Sequence, residues 1–363
     1  MKVAIVYDRV NKWGGAERVL LTLHKIFPKA PLYTSVYDKK NASWANIFHV
    51  KTSFLQYVPF AKSHHEFFAP LMPFAFALFS FKEYDLVISV TSEYAKGVIT
   101  TGKTKHLCLC LTPTRYLWSG YHHYFHNKIF RQVTHPLVFL LRKWDTYIAS
   151  LPDQYIAISQ EVQKRIQKYY HRKSVVIYPA VTKLPKPENT NLFEKNYFLV
   201  VSRLSRFTSY KRVDLAVAAA TKLGASLIVV GNGDSSYLKE IAGPTIQFMQ
   251  KTTDAELARL YANCKALIFP GREDFGLTMV EALSFGKPVI AYKAGGALEI
   301  VKPGKTGTFF KSQTESSLVK ALKSFREDSY NSSICRKQAL RFVEKIFQRE
   351  IKKVVKSLVK NKI

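Results

Sequence analysis

From the first residue onward, short apolar runs alternate with stretches of helical periodicity. The runs "VAIVY", "DLVISV", "HLCLCL" and "YIAIS" read as strands buried in a parallel sheet, and "GGAERVLLTLHKIF" carries apolar residues at helical spacing. This is a βαβ pattern, and it restricts the chain to α/β architectures. The pattern breaks at "KLPKPENTN", Lys183–Asn191, where two prolines and a polar run interrupt every periodicity. A second series then follows: "YFLVVS", a helix from about Tyr210, "SLIVVGNGD", a helix, "IQFMQ", the helix "DAELARLYANC", "ALIFPG", a helix and "PVIAY".

A chain of 363 residues is comfortable for two domains. The expectation is an N-terminal Rossmann-like domain over 1–183, a linker over 184–191 and a second Rossmann-like domain over 192–332. The two face each other across a cleft. The Lys-rich remainder, 333–363, reads as one or two amphipathic helices lying back on the first domain. Turns rich in Gly, Ser and Asp close the strands of the second series, and the carboxyl ends of such strands are where doubly wound sheets collect ligands.

Lys and Arg number 55 against 26 Asp and Glu, a formal charge of +29, so some of the surface attracts anions. Residues 1–184 hold 25 of the cations and 10 of the acids, so the excess is spread over both halves and does not choose the ligand. Nucleic acid is one class that charge admits, but no DNA- or RNA-binding module is recognisable. The cysteines Cys108, Cys110, Cys264 and Cys335 are too scattered for a disulfide framework and fit core thiols in a reducing cytoplasm. The opening "MKVAIVY" lacks the pattern of a signal peptide. The greasiest stretch, Phe67–Phe81, is shorter than the ~20 residues that span a bilayer and contains two prolines.

The stretch "PGREDFGLTMVEALSFGKPVIAY" places Glu273 in the loop beyond a strand and Glu281 about one turn into the helix that starts near Leu277. The free N–H groups of such a helix suit a diphosphate, and the two carboxylates suit the hydroxyls at the ligand's two ends, Glu273 on a hexose and Glu281 on a ribose. The plainer reading is a solvated loop acid and a helix-favouring glutamate. Complementary parts favour the ligand. Arg203 follows a strand and Lys211 precedes a helix, where two cations can reach a diphosphate. Gly231 and Gly233 form a turn that lets backbone approach a nucleotide, whose base slot falls around Phe248–Lys251. In the first domain Gly14 and Gly15 could do the same, or be an ordinary strand-to-helix turn. His122 and His126 have metal-binding spacing without an acidic third ligand. The segment Val58–Phe79 and the C-terminal "IKKVVKSLVKNKI" read either as core and solvated helix faces or as contacts to an anionic membrane.

In combination, "GGAERVL", "YKRVDLAV", the two-glutamate block and "GGALEIV" resemble the retaining glycosyltransferases of family 4, which have the GT-B fold. Within them "LTPTRYLWSGYHHYF" and "EYDLVISVTSEYAKGV" are similar to bacterial mannosyltransferases that build surface polysaccharide from GDP-mannose. The resemblance implies an enzyme that moves a hexose, here mannose, from a nucleotide diphosphate to a glycan or lipid-linked glycan, cytoplasmic and peripheral on the inner face of the membrane. It implies no cofactor and no metal, because Arg203 and Lys211 neutralise the diphosphate. It puts Glu281 on the ribose, and Glu273 on the transferred hexose with the backbone of Asp274, Phe275, Gly276 and Leu277. The N-terminal domain takes the acceptor side, and the leaving oxygen accepts the acceptor's proton on the face from which it departs.

Two departures from the pattern stand out. Leu111 occupies a position where the subgroup has His, leaving Thr112, Arg115 or a backbone carbonyl at the reaction centre. Arg203 and Lys211 are a few residues further apart than is usual, which makes Arg206 an alternative to Arg203. The second reading is therefore a GT-B protein that binds nucleotide-sugar or glycan without efficient transfer.

Overall fold

The computed structural model describes residues 1–63, 65–125, 127–182, 184–185, 196–205 and 210–360. Its contacts form two compact units. Met1–Ala180 and the C-terminal segment from Glu344 make the first, and Val181–Val343 the second. Most of the expected linker lies outside the described residues.

The first unit contains β1 (Val3–Tyr7), α1 (Gly15–Ile26), β2 (Leu32–Thr34), β3 (Val50–Thr52), α2 (Met72–Ala77), β4 (Leu86–Thr91), β5 (Lys105–Cys110), α3 (Tyr121–Tyr124), α4 (Lys128–Ile148), β6 (Gln154–Ala157), α5 (Gln160–Tyr170) and β7 (Ser174–Val176). Its sheet runs β3-β2-β1-β4-β5-β6-β7, all parallel. The order reverses between β1 and β4, whose side chains are buried throughout, as strands covered on both faces require. Cys108 and Cys110 sit buried in β5 outside any disulfide, and burial pushes the Cys108 thiol up to about 12, as befits a core thiol.

Two buried polar clusters hold the loops beyond this switch point. The Asp8 carboxylate accepts from the Thr91 hydroxyl (2.9 Å) and from the backbone N–H groups of Ser92, Glu93, Tyr94 and Ala95 (2.7–3.1 Å), so the turn after β4 is moulded on one side chain. Beside it Lys96 pairs with Asp145 of α4 at 2.6 Å, both fully buried. Asp145 also accepts from the Thr114 hydroxyl (2.8 Å) and the Trp118 indole (2.7 Å). A buried pair needs such extra donors to offset the loss of water.

The second unit contains β8 (Phe198–Val201), α6 (Val213–Leu223), β9 (Leu227–Val230), α7 (Ser236–Lys239), β10 (Ile246–Met249), α8 (Asp254–Asn263), β11 (Ala266–Phe269), α9 (Leu277–Ser284), β12 (Val289–Tyr292), α10 (Ala297–Ile300), β13 (Gly307–Phe310), α11 (Glu315–Ser324) and α12 (Ser332–Ala339). Its parallel sheet runs β10-β9-β8-β11-β12-β13, the strand order of dinucleotide-binding doubly wound folds, with the switch point between β8 and β11.

The tail divides differently from the expected boundary at 332/333. α12 stays with the second unit, because Ser332 donates to the Gly286 carbonyl (3.0 Å), Gln338 donates to the Ile300 carbonyl (2.7 Å) and the Phe342 ring packs on Phe275 (5.4 Å). Only α13 (Glu344–Lys360) belongs to the first unit. It buries Phe347, Ile351 and Val355, one per turn, and Glu344 pairs with Lys25 of α1 at 2.8 Å. No helix of the described residues is long and apolar enough to cross a membrane.

Candidate active site

The switch point of the second unit gathers the charged side chains singled out in the sequence. Arg203 lies just past β8, Lys211 just before α6, and Glu273 in the loop between β11 and α9. Lys211 donates to Glu273 at 2.7 Å, and about a fifth of each side chain remains exposed. Sequence reasoning gave these two residues separate tasks; the fold makes them an ion pair. Burial alone would lower the Lys211 pKa, but the charge of Glu273 and the hydrogen bond outweigh it and leave the ammonium above its ordinary value, opposed slightly by the like charge of Arg203. Lys211 therefore stays cationic across the physiological range. Arg206, the alternative to Arg203, lies outside the described residues.

Glu281 lies on the inner face of α9, 3% exposed, and accepts a hydrogen bond from the Tyr261 hydroxyl at 2.8 Å. Tyr261 comes from α8 and stacks on Phe285 at 5.7 Å, so it fixes the orientation of the carboxylate. The sequence offered only a helix-spaced aromatic at that position. α9 starts from Gly276, whose φ of +99° favours glycine, with no side-chain cap on its first N–H groups. Phe275 is buried, so only its backbone can serve a ligand.

The glycine pair that opens "GGALEIV" shapes this loop. Gly296 donates its N–H to the Glu273 carbonyl at 3.0 Å, and Cβ atoms at Gly295 and Gly296 would stand 2.4 Å from the Glu273 oxygen and 2.1 Å from the Phe275 oxygen. The loop carrying Glu273 can follow its path only over that glycine pair. Gly231 and Gly233 have a similar structural reason, for Cβ atoms there would meet the carbonyls of Ser202 and Leu204 at 1.7 and 1.8 Å. They let the segment leading into Arg203 lie against the β9 turn, so their occurrence does not by itself point to a nucleotide. In the base-slot region Lys251 donates its N–H to the Asn232 side chain at 2.8 Å, tying the ends of β9 and β10 together.

In the first unit Gly14 caps α1, and Glu17 in its first turn is buried and accepts from the Tyr7 hydroxyl at 2.7 Å. Burial, with the Glu17 charge, pushes the Tyr7 pKa well up and keeps it a neutral donor. Leu111 follows β5, half-buried, and its N–H is bonded to the Thr91 carbonyl at 2.8 Å. Thr112 is buried and accepts from Arg165 at 3.4 Å, while Arg115 is half-buried. The loop between them and Trp118 is the one anchored by Asp145. His122 lies against the Arg131 guanidinium at 3.1 Å, and His126 is outside the described residues. Among the described residues no cluster of three His, Cys, Asp or Glu side chains could hold a metal ion.

Two parallel doubly wound units in one chain, the second with its charged loops at the switch point, decide the architecture. The chain has the GT-B fold. Residues 182–345 match the family described as "Glycosyl transferases group 1". The chain is similar to a GDP-mannose-dependent alpha-mannosyltransferase of Mycolicibacterium smegmatis, 33% identical over 109 residues that cover 30% of this chain and 29% of the relative. It is also similar to an uncharacterized glycosyltransferase of Methanocaldococcus jannaschii, 26% identical over 167 residues, 44% of this chain and 46% of the relative. The matched segments thus span less than half the length of these curated relatives. Whole-length likeness comes from structure. Sucrose-phosphate synthase of Thermosynechococcus elongatus superposes with a TM-score of 0.77 at 17% identity, covering 99% of each chain. HepE of Anabaena, solved in complex with UDP-glucose, superposes with a TM-score of 0.71 at 20% identity, covering 98% of this GT-B chain and 100% of its own. At those identities the likeness speaks for the fold.

Proposed function

We propose that the chain is a metal-independent retaining hexosyltransferase of glycosyltransferase family 4, moving mannose from GDP-mannose to a glycan or lipid-linked glycan at the cytoplasmic face of a membrane. The observation that carries this reading is the Lys211–Glu273 pair at the switch point of the second unit. A diphosphate entering beside the α9 N-terminus meets Arg203 and Lys211, and takes over from Glu273 as the partner of Lys211. Glu273 is thereby released to accept from hydroxyls of the hexose, assisted by the backbone from Asp274 to Leu277. Glu281, held by Tyr261, accepts from the ribose. As the sugar–phosphate bond breaks, charge grows on the diphosphate oxygen, and two fixed cations stabilise it more than they stabilise the bound donor. The acceptor hydroxyl adds to the anomeric carbon on the same face and passes its proton to the departing phosphate oxygen. Acceptor contacts are assigned to the loop from Leu111 to Arg115. The names of the mycobacterial relatives favour GDP-mannose, whereas the UDP-glucose complex of HepE keeps a uridine donor in the test.

Leu111 supports a second reading, a chain that holds the donor without efficient transfer, since an apolar side chain there supplies no hydrogen bond to a reacting sugar. Calorimetric titration of GDP-mannose, UDP-glucose and UDP-N-acetylglucosamine in EDTA, into the wild type and Glu281→Ala, tests the donor site. Binding of one donor that is lost in the variant is expected. Equal binding to both proteins would remove Glu281 from the site.

A further inference from the structure

α4 is apolar on its outer surface as well as on part of its inner one. Its inward stripe mixes Arg131, Thr134, Arg142 and Asp145 with Val138, Leu141 and Ile148, while Phe130, Val133, Leu137, Leu140, Trp144 and Tyr147 all face outward. These six follow one another at alternating spacings of three and four, so they form one continuous ridge, about 25 Å long at 1.5 Å per residue. Val133 is 74% and Leu140 62% exposed. Asp145, through its ion pair with Lys96 and its bonds to Thr114 and Trp118, holds the opposite edge of the helix inward together with Val138 and Ile148.

The ridge continues beyond the helix. Trp144 meets Phe74 of α2 with ring centroids 5.8 Å apart, and Leu78, at the end of α2, is 75% exposed. Tyr57 and Phe67, on the segment leading into α2, are also highly exposed. Monomeric soluble proteins rarely leave such an expanse of apolar surface uncovered. Two lysines of α4, Lys128 and Lys143, are exposed beside it, Lys143 lying over the Phe139 ring at 4.7 Å, whereas the helix's one acid is buried in the ion pair with Lys96.

We infer that the α2–α4 face is a docking surface for an anionic lipid bilayer, on which α4 lies in the plane of the interface. Aromatic rings and aliphatic side chains enter the headgroup–acyl boundary, and flanking lysines meet lipid phosphates. Charge complementarity selects this occupant. A second copy would bring Lys128 and Lys143 of two molecules, each carrying +29, against one another. The ridge also spans under three heptads, less than a coiled-coil seam requires. This inference deepens the membrane placement in the proposed function, but it uses none of the donor-site residues, so its failure would leave the donor-site reading standing.

Sedimentation of the whole protein with phosphatidylcholine vesicles, with and without phosphatidylglycerol, tests it. Binding to the phosphatidylglycerol vesicles is expected, weakening with salt and falling by about tenfold or more in the V133S/L140S variant. Both positions are on the surface, so the thermal midpoint should stay near that of the wild type. K128E/K143E should lose the preference for anionic lipid, while K352E/K353E on α13 should retain binding. Failure of the folded wild type to bind, or binding that survives V133S/L140S, overturns the proposal. So does a wild-type dimer that V133S/L140S converts to a monomer without any effect on vesicles, which would assign the ridge to a second copy.

Discussion

Replacing Glu273 by Gln separates the two tasks proposed for that side chain. In the structure it neutralises Lys211 at 2.7 Å, and in the donor complex it is proposed to hold the hexose. At that distance the Coulomb attraction is roughly 6 kcal/mol for an effective dielectric constant of about 20. Desolvation and side-chain ordering offset most of this, so that a pair with partly exposed side chains is left with about 1 kcal/mol. Gln cannot hold the ammonium by charge. A nucleoside diphosphate, which has no hexose, then meets an uncompensated Lys211 and should bind about fivefold more tightly. The nucleotide-sugar should lose the charged acceptor for its hydroxyls, worth about 1.5–3 kcal/mol. Its advantage over the bare nucleotide should therefore shrink by roughly ten- to hundredfold. Parallel calorimetry of GDP and GDP-mannose with both proteins reads the two effects. If GDP weakens along with GDP-mannose in Glu273→Gln, the competition between carboxylate and diphosphate is wrong.

Other perturbations follow from the same contacts. Tyr261→Phe strips the hydroxyl donor from buried Glu281, so urea unfolding should show a loss of about 1–3 kcal/mol and calorimetry a weaker donor. Lys96→Met leaves Asp145 buried without its cation, and a loss of about 3–5 kcal/mol in urea unfolding is expected. His106, buried in β5 with Nε2 bonded to Ser89 of β4 at 2.8 Å, has its pKa lowered by burial to about 3. The unfolded chain then binds the extra proton more readily, so this contribution to stability is complete above about pH 6.5 and falls as pH drops toward 3, by up to about 1.4 kcal/mol per unit. His106→Asn should flatten that part of the acid-unfolding profile, as a pH series of denaturant midpoints would show.

The strands most legible in the sequence were those buried on both faces, such as β1, β4 and β11, because their apolar runs are continuous. β2, β3 and β7 have three residues each, too few to establish a period, and β3 is only half-buried at the sheet edge. The acids and cations of the proposed donor site were recognisable because each sits at a strand end, before a helix or about one turn into one. Their partners were not: Lys211 and Glu273 are 62 positions apart, and nothing local says that they touch. Tyr261 looked like any core aromatic until α8 packed beside α9. The Gly295–Gly296 pair was visible as residues, but its purpose depends on a carbonyl contributed by another loop. The outward ridge of α4 carries an ordinary helical pattern in sequence. Which side of that pattern faces inward is fixed by Asp145 meeting Lys96 and by the burial of Val138 and Ile148 on the same edge, contacts that only the tertiary structure reveals.

The central claim is that the β8–β11 switch point binds a nucleotide-sugar through Arg203, Lys211, Glu273 and Glu281. A crystal structure grown in EDTA with the donor that titrates tests it most directly. The account predicts the diphosphate against Arg203 and Lys211, the ribose on Glu281 and the hexose on Glu273, with the Lys211–Glu273 pair opened. A donor bound elsewhere, or one bound with that pair intact and Glu281 untouched, would contradict it.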